Sequence, residues 1–177
     1  MRYTLRVICT LLAATITLLP SVVSAQTKTV NLWNGQLKLA VPKTAGKTKK
    51  LSSTLFSIQP TAKKNRIVLY ASREPVLADE TTLTNPQLAD SIKSQLEAQG
   101  YTVASLTSKR NTFSAKLTGY ASMPWRKVGS SSIRGMAQFV RTNDRQLVGA
   151  IVLSDPSEWN KKPTRDYRSA ATKIQVK

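Results

Sequence analysis

The sequence predicts an α+β domain, an antiparallel β-sheet flanked by two main helices. Three observations carry that reading. Most of the chain after Lys28 falls into short runs in which apolar and polar side chains alternate with the period of a strand. Only two segments, one around Ile92 and one near the C-terminus, repeat their apolar residues at helical spacing. Turn residues such as Asn34-Gly35 and Thr142-Asn143-Asp144 separate consecutive strands closely enough for antiparallel pairing.

The first elements form a hairpin. Thr29 to Trp33 runs into Asn34-Gly35, a pair that tolerates positive φ at both central positions of a type I′ turn, and Gln36 to Pro42 returns. Leu37, Leu39 and Val41 share one face of the returning strand and are expected in the core. Lys43 to Lys50 carries four lysines and no large apolar residue, so it reads as a solvated loop. Two more strands, Thr54 to Gln59 and Arg66 to Ala71, flank a turn, and a loop is expected from Arg73 to Thr84.

A helix follows. Asn85 is the expected N-cap and Pro86 the first helical residue. Leu88, Ile92 and Leu96, widened by Ala89, make its apolar stripe, and Gly100 closes it. Tyr101 to Leu106, Phe113 to Thr118 and Trp125 to Ser132 are strand candidates. Ile133 to Arg141 and Gln146 to Ser154 form a second hairpin, with Met136, Phe139, Leu147 and Ile151 expected on one buried face. Pro163 opens a last helix in which Tyr167, Ala170, Ala171 and Ile174 repeat at helical spacing.

The first 25 residues read as an export signal. Arg2 and Arg6 form the positive end, Val7 to Leu19 the apolar run, Pro20 its end, and Val23-Ser24-Ala25 the small residues of a cleavage site. Cleavage is expected after Ala25. The apolar run is too short for the ~20 residues that cross a bilayer. Residues 26–177 then form a single domain of 152 residues, long enough to bury a true core. The one cysteine, Cys9, lies inside the signal and not in a lipobox, so a soluble periplasmic protein without disulfides is expected.

Composition narrows the chemistry. There is no histidine, so Ser-His-Asp and Cys-His machinery and the usual zinc, copper and haem ligand sets are missing from the mature chain. No catalytic, cofactor or metal site is expected. Against 9 acidic residues stand 27 Lys and Arg, a net charge of +18 that becomes +16 once Arg2 and Arg6 leave with the signal. Such a field gathers anionic partners.

Glu74 with Asp79-Glu80 lacks the loop spacing of a calcium site and reads as a solvated acidic loop. Asp90 and Glu97 lie off the apolar stripe of their helix, where burial cannot tune a carboxylate for glycosidase chemistry. The basic and aromatic clusters carry more. Trp33, Trp125 and Trp159 stand near cations, and Trp125-Arg126-Lys127 and Trp159 with Lys161-Lys162 pair an amphipathic ring with positive charge. That pairing suits an anionic surface. Lys109-Arg110 and Lys173 add further cations. Lys161, Arg165 and Arg168 are spaced to form one basic stripe opposite Tyr167 and Ile174. The candidate partner-binding residues are therefore Trp125, Arg126, Lys127, Lys161, Lys162, Arg165 and Arg168.

Two segments resemble the DcrB-like family of bacterial envelope proteins. One is Val30 to Pro42, an opening hairpin with an Asn-Gly turn and an alternating strand that ends in proline. The other is Arg145 to Leu153 with the closing helix through Ala170-Ala171-Thr172-Lys173-Ile174-Gln175-Val176. The resemblance implies a PsbP-like α+β sandwich in the cell envelope. It also implies a non-enzymatic accessory role, in phage sensitivity or envelope homeostasis, exercised by binding other envelope components. Those partners would be envelope proteins or an anionic surface of lipid head groups or lipopolysaccharide. The family's enteric members are typically lipoproteins, and the missing lipobox is a departure. The alternative from a different class is an extracytoplasmic module for polyanions or nucleic acid.

Overall fold

The computed structural model describes residues 26–62, 66–76, 83–120 and 132–177. Ten strands, two helices and one short 3₁₀ turn make up these segments. The strands are β1 (Thr27–Leu32), β2 (Leu37–Pro42), β3 (Lys49–Lys50), β4 (Leu55–Ile58), β5 (Ile67–Pro75), β6 (Thr102–Lys109), β7 (Thr112–Tyr120), β8 (Ser132–Arg141), β9 (Gln146–Ser154) and β10 (Gln175–Val176). Helix α1 is Asn85–Ala98 and helix α2 is Lys162–Thr172. Seven strands form one antiparallel sheet in the order β3-β4-β5-β9-β8-β7-β6, and β1-β2-β10 form a second, smaller sheet.

The large sheet separates two cores. On one face α1 buries Leu88, Ala89, Ile92 and Leu96 against Phe113, Leu117, Ile133, Ala137, Phe139 and Ile151. On the other, Tyr167, Ala170 and Ala171 of α2 and Leu37, Leu39 and Val41 of β2 cover Leu69, Val148, Ala150 and Val152. The expected helix-flanked sheet is thus present, but the second face is shared between a helix and a small sheet. Strand β9 is the middle of the seven and is buried from Leu147 to Ser154. A strand covered on both faces needs an unbroken apolar run, and this one has it.

Local signals place most elements, and pairing corrects several. Asn34 and Gly35 adopt the expected positive φ, +55° and +84°, and Gln36 N–H donates to Trp33 O at 3.1 Å. Trp33 is also left-handed, at φ +48°. The first strand therefore stops at Leu32, which pairs with Leu37 across a four-residue loop. This conformation is rare for an aromatic residue. Trp33 Nε1–H donates to Ser53 O at 2.8 Å, its ring meets Phe56 edge-on with centroids 5.4 Å apart, and the Arg73 guanidinium sits over it. Trp33 thereby clasps the hairpin of the small sheet to the edge of the large one.

The segment from Lys43 to Lys50 is not wholly a solvated loop. Ala45 is buried and bridges Pro60, and Lys49–Lys50 pair with β4. Strand β5 continues to Pro75, past the expected loop start at Arg73, because β9 offers partners as far as Gln146. The cap of α1 is Thr84, not Asn85. Gln87 Oε1 accepts the Thr84 N–H at 2.9 Å, and the Asn85 side chain instead donates to Arg110 O in the β6–β7 turn. Gly100, at φ +88°, closes the helix as expected, with Gly100 N–H on Glu97 O and Tyr101 N–H on Leu96 O.

Met136 does not share the face of Phe139. It pairs with Val152, whereas Ala137 pairs with Ile151 and Phe139 with Gly149, so Met136 faces α2. Helix α2 ends at Thr172, and Gln175–Val176 leave it to pair with β2. Ile174 therefore lies beyond the helix. The strand candidate beginning at Trp125, save its last residue Ser132, and the acidic pair Asp79-Glu80 lie outside the described residues.

Candidate anion-binding face

Helix α2 and the small sheet cover only part of their face of the large sheet. Directly opposed residues point the same way, so the pairing of β6, β7 and β8 determines what the remainder presents. Ser105 pairs with Lys116 and Lys116 with Met136; Thr107 pairs with Ser114 and Ser114 with Gln138; Thr118 pairs with Arg134. The alternate residues Phe113, Ala115 and Leu117 fill the core under α1. What is left is a sheet surface of hydroxyls, one amide, two cations and the Met136 side chain.

This surface is the floor of a groove of about 700 Å³. Its wall comes from Trp159, Arg168 and Thr172. Among the described residues no carboxylate lines it. Arg168 lies over the Trp159 ring, its guanidinium carbon 4.3 Å from the ring centroid, and its Nε is buried without a hydrogen-bond partner among the described residues. The groove thus gathers Lys116, Arg134 and Arg168 with Ser114 and Gln138, whose side chains bond each other at 2.7 Å. Positive charge and neutral donors facing one open space can bind phosphate or carboxylate oxygens.

The wall is positioned by the chain just before α2. Asp155 Oδ1 accepts from Ser157 N–H at 3.0 Å and from the Ser157 hydroxyl at 2.8 Å, which starts the 3₁₀ turn Pro156–Glu158. Its Oδ2 pairs with Arg66 at 3.4 Å. Trp159 follows that turn directly, nine positions before Arg168.

The expected basic stripe on the last helix is broken up. Lys161 precedes the helix and pairs with Glu158 at 2.7 Å, and Lys162 pairs with Asp166 at 3.0 Å. Both lysines sit at the positive end of the helix dipole, so these local acids offset an unfavourable placement. Arg165 is exposed but does not line the groove, and Arg168 sits beside Tyr167 on Trp159 and not opposite it. Of the candidates, only Arg168 joins the groove, together with Trp159. Trp125, Arg126 and Lys127 lie outside the described residues. Lys116, Arg134, Ser114 and Gln138 escaped the sequence reading. Their signal was the polar half of two alternating strands, which carries meaning only once the strands' outer face is known to be uncovered.

Burial raises the acid constants of three tyrosines. Tyr167, on the inner face of α2, is pushed far above the ordinary phenol value. Tyr70 is raised by burial, and Tyr101 by burial and then by the charge that Tyr70 would carry. Asp90 and Glu97 are exposed on α1 as expected. Among the described residues no helix is long and apolar enough to cross a membrane.

Comparison with solved structures identifies the architecture. A mutant of the protein Mog1 matches with a TM-score of 0.57 and 11% identity, over 85% of this chain and 95% of that one. The cyanobacterial PsbP protein (CyanoP) of Synechocystis matches at 0.55 and 12% identity, over 92% and 99%. LpqN of Mycobacterium tuberculosis, involved in cell envelope biogenesis, matches at 0.47 and 13% identity, over 85% and 90%. No protein-family model and no curated protein matches the sequence. The chain has the fold of PsbP and Mog1, covering nearly the whole of each.

Proposed function

We propose that this chain is an exported, non-enzymatic accessory protein of the bacterial cell envelope, of DcrB-like type, which docks a phosphate-bearing envelope surface on its β6–β8 groove. The observation that carries the reading is the groove itself: among the described residues Lys116, Arg134 and Arg168 line it, and no carboxylate does. Export under the signal at residues 1–25 would bring such a face to lipid and lipopolysaccharide phosphates. Bare nucleic acid is the weaker reading, because base stacking needs an open aromatic face and Arg168 occupies that of Trp159.

The test must separate a site from a merely positive protein. Vesicles of phosphatidylglycerol in phosphatidylcholine, and in parallel purified lipopolysaccharide, serve as probes. The pair Lys116→Gln with Arg134→Gln should weaken binding about tenfold or more and reduce its salt dependence. The equal-charge control Lys161→Gln with Lys162→Gln should change it little. Equal losses in the two pairs would reject a localised site. Loss confined to one probe would name the source of the phosphate, and tighter binding to single-stranded DNA than to either would favour the other reading.

A further inference from the structure

The opposite face of the sheet holds a second cleft whose chemistry is the reverse of the groove's. It encloses about 420 Å³ between α1 and strands β4, β5, β8 and β9. Ile92 and Leu96 of α1 and Phe139, Leu147 and Ile151 of the sheet give it apolar walls. Leu51, 46% exposed and the one exposed large hydrophobic residue among those described, stands at the same cleft.

Its polar groups are few and distinctive. Among the described residues no lysine or arginine lines it, in a chain with 27 of them. The single charged group among those residues is Glu74, on the same face of β5 as Tyr70 and Ser72. The Glu74 carboxylate takes a long 3.5 Å hydrogen bond from Ser72 and has no cationic partner among the described residues. Tyr70 and Tyr101, half-buried in the cleft, have no hydrogen-bond partner among the described residues. Burial raises both phenols above their ordinary value. One exposed carboxylate in the same cleft as two half-buried tyrosines, over an apolar floor, favours positive charge at one end of a hydrocarbon ligand.

We propose that this cleft binds a small molecule with an apolar body and one cationic head, an alkyl amine or quaternary ammonium. The apolar body lies against Ile92, Leu96 and Ile151, and the head sits between Glu74 and the two tyrosines. The net charge of +18 repels cations at a distance. At physiological ionic strength that repulsion is screened beyond about 8 Å, so among the described residues Glu74 is the charge nearest a ligand in the cleft.

The experiment compares decyltrimethylammonium, decanol and decanoate, each below its micelle concentration, by calorimetry and by NMR shifts of the labelled protein. Decyltrimethylammonium should bind most tightly and shift Tyr70, Tyr101, Leu96 and Ile151. Glu74→Gln should weaken it about two- to fivefold and leave decanol unchanged. Gln99→Trp, at an exposed cleft residue that caps the C-terminus of α1, should block both. Lys116→Gln with Arg134→Gln should affect neither, so failure here and failure of the docking face can be told apart. Decanoate binding as tightly as the ammonium, an unchanged Glu74→Gln variant, or shifts confined to the β6–β8 groove would each overturn the proposal.

Discussion

The guanidinium carbon of Arg168 lies 4.3 Å from the centroid of the Trp159 ring, which turns two residues from different elements into one cationic wall beside β6–β8. The ring holds the long arginine in a single orientation, so less side-chain freedom remains to be lost when an anion arrives. Trp159→Leu leaves the net charge untouched. It should nevertheless weaken binding to phosphatidylglycerol vesicles about two- to fivefold, the scale of an exposed cation–π contact. Wild-type affinity in this variant would mean that charge alone governs docking.

Ile92 is 3% exposed and is central to the α1 face of the core. Ile92→Ala should cost about 2–5 kcal/mol in denaturant unfolding, through lost burial and the cavity left behind. A cost below about half a kcal/mol, the range of surface changes, would contradict the packing of α1 on the sheet.

Gly149 admits the Phe139 ring. A Cβ added at Gly149 would lie 2.5 Å from Phe139 Cδ1 and press on the Gln138 carbonyl. Gly149→Ala should therefore destabilise by about 1–3 kcal/mol. Combining it with Phe139→Leu should cost less than the two single changes added together, since they share one contact.

The tyrosines predict an alkaline limb to stability. Tyr70, Tyr101 and Tyr167 have raised values in the folded state. Above the ordinary phenol value near 10 the unfolded chain releases these protons and the folded chain keeps them. The unfolded state then binds fewer protons, so stability falls as pH rises. The contribution is full below pH ~10 and declines above it. Tyrosinate absorbance should rise in step with unfolding, and Tyr167→Phe should shift the loss of stability to higher pH. Phenols that titrate together at the ordinary value in the folded protein would contradict their burial.

Much of this architecture was legible because its signals are local. The stripe Leu88, Ala89, Ile92 and Leu96, the stop at Gly100, and the face Leu37, Leu39 and Val41 each follow from the geometry of a few consecutive residues, and all are found as expected. Some slips were themselves local, as at the Thr84 cap and at Met136, and others were decided by a partner distant in sequence. Strand β5 runs on to Pro75 because β9 pairs with it. Met136 is three residues from Phe139 in one unbroken strand, so alternation alone puts it on the opposite, α2 face.

The candidate site shows the same division more sharply. Composition alone established a strongly basic chain without histidine, and so favoured binding an anion over the common hydrolytic chemistries. It could not say where. Lys161 and Lys162, prominent in sequence, are occupied by Glu158 and Asp166 one helical turn away. Lys116 and Arg134 look ordinary in sequence, yet they lie on neighbouring strands, on the part of the sheet that α2 leaves open. The sequence by itself determined periodicity, helix ends and total charge, since each depends on residues within a turn or on a simple sum. Only the tertiary structure decided which cations, among the described residues, stay unpaired and face common space, because that depends on pairing, register and coverage between residues far apart in the chain.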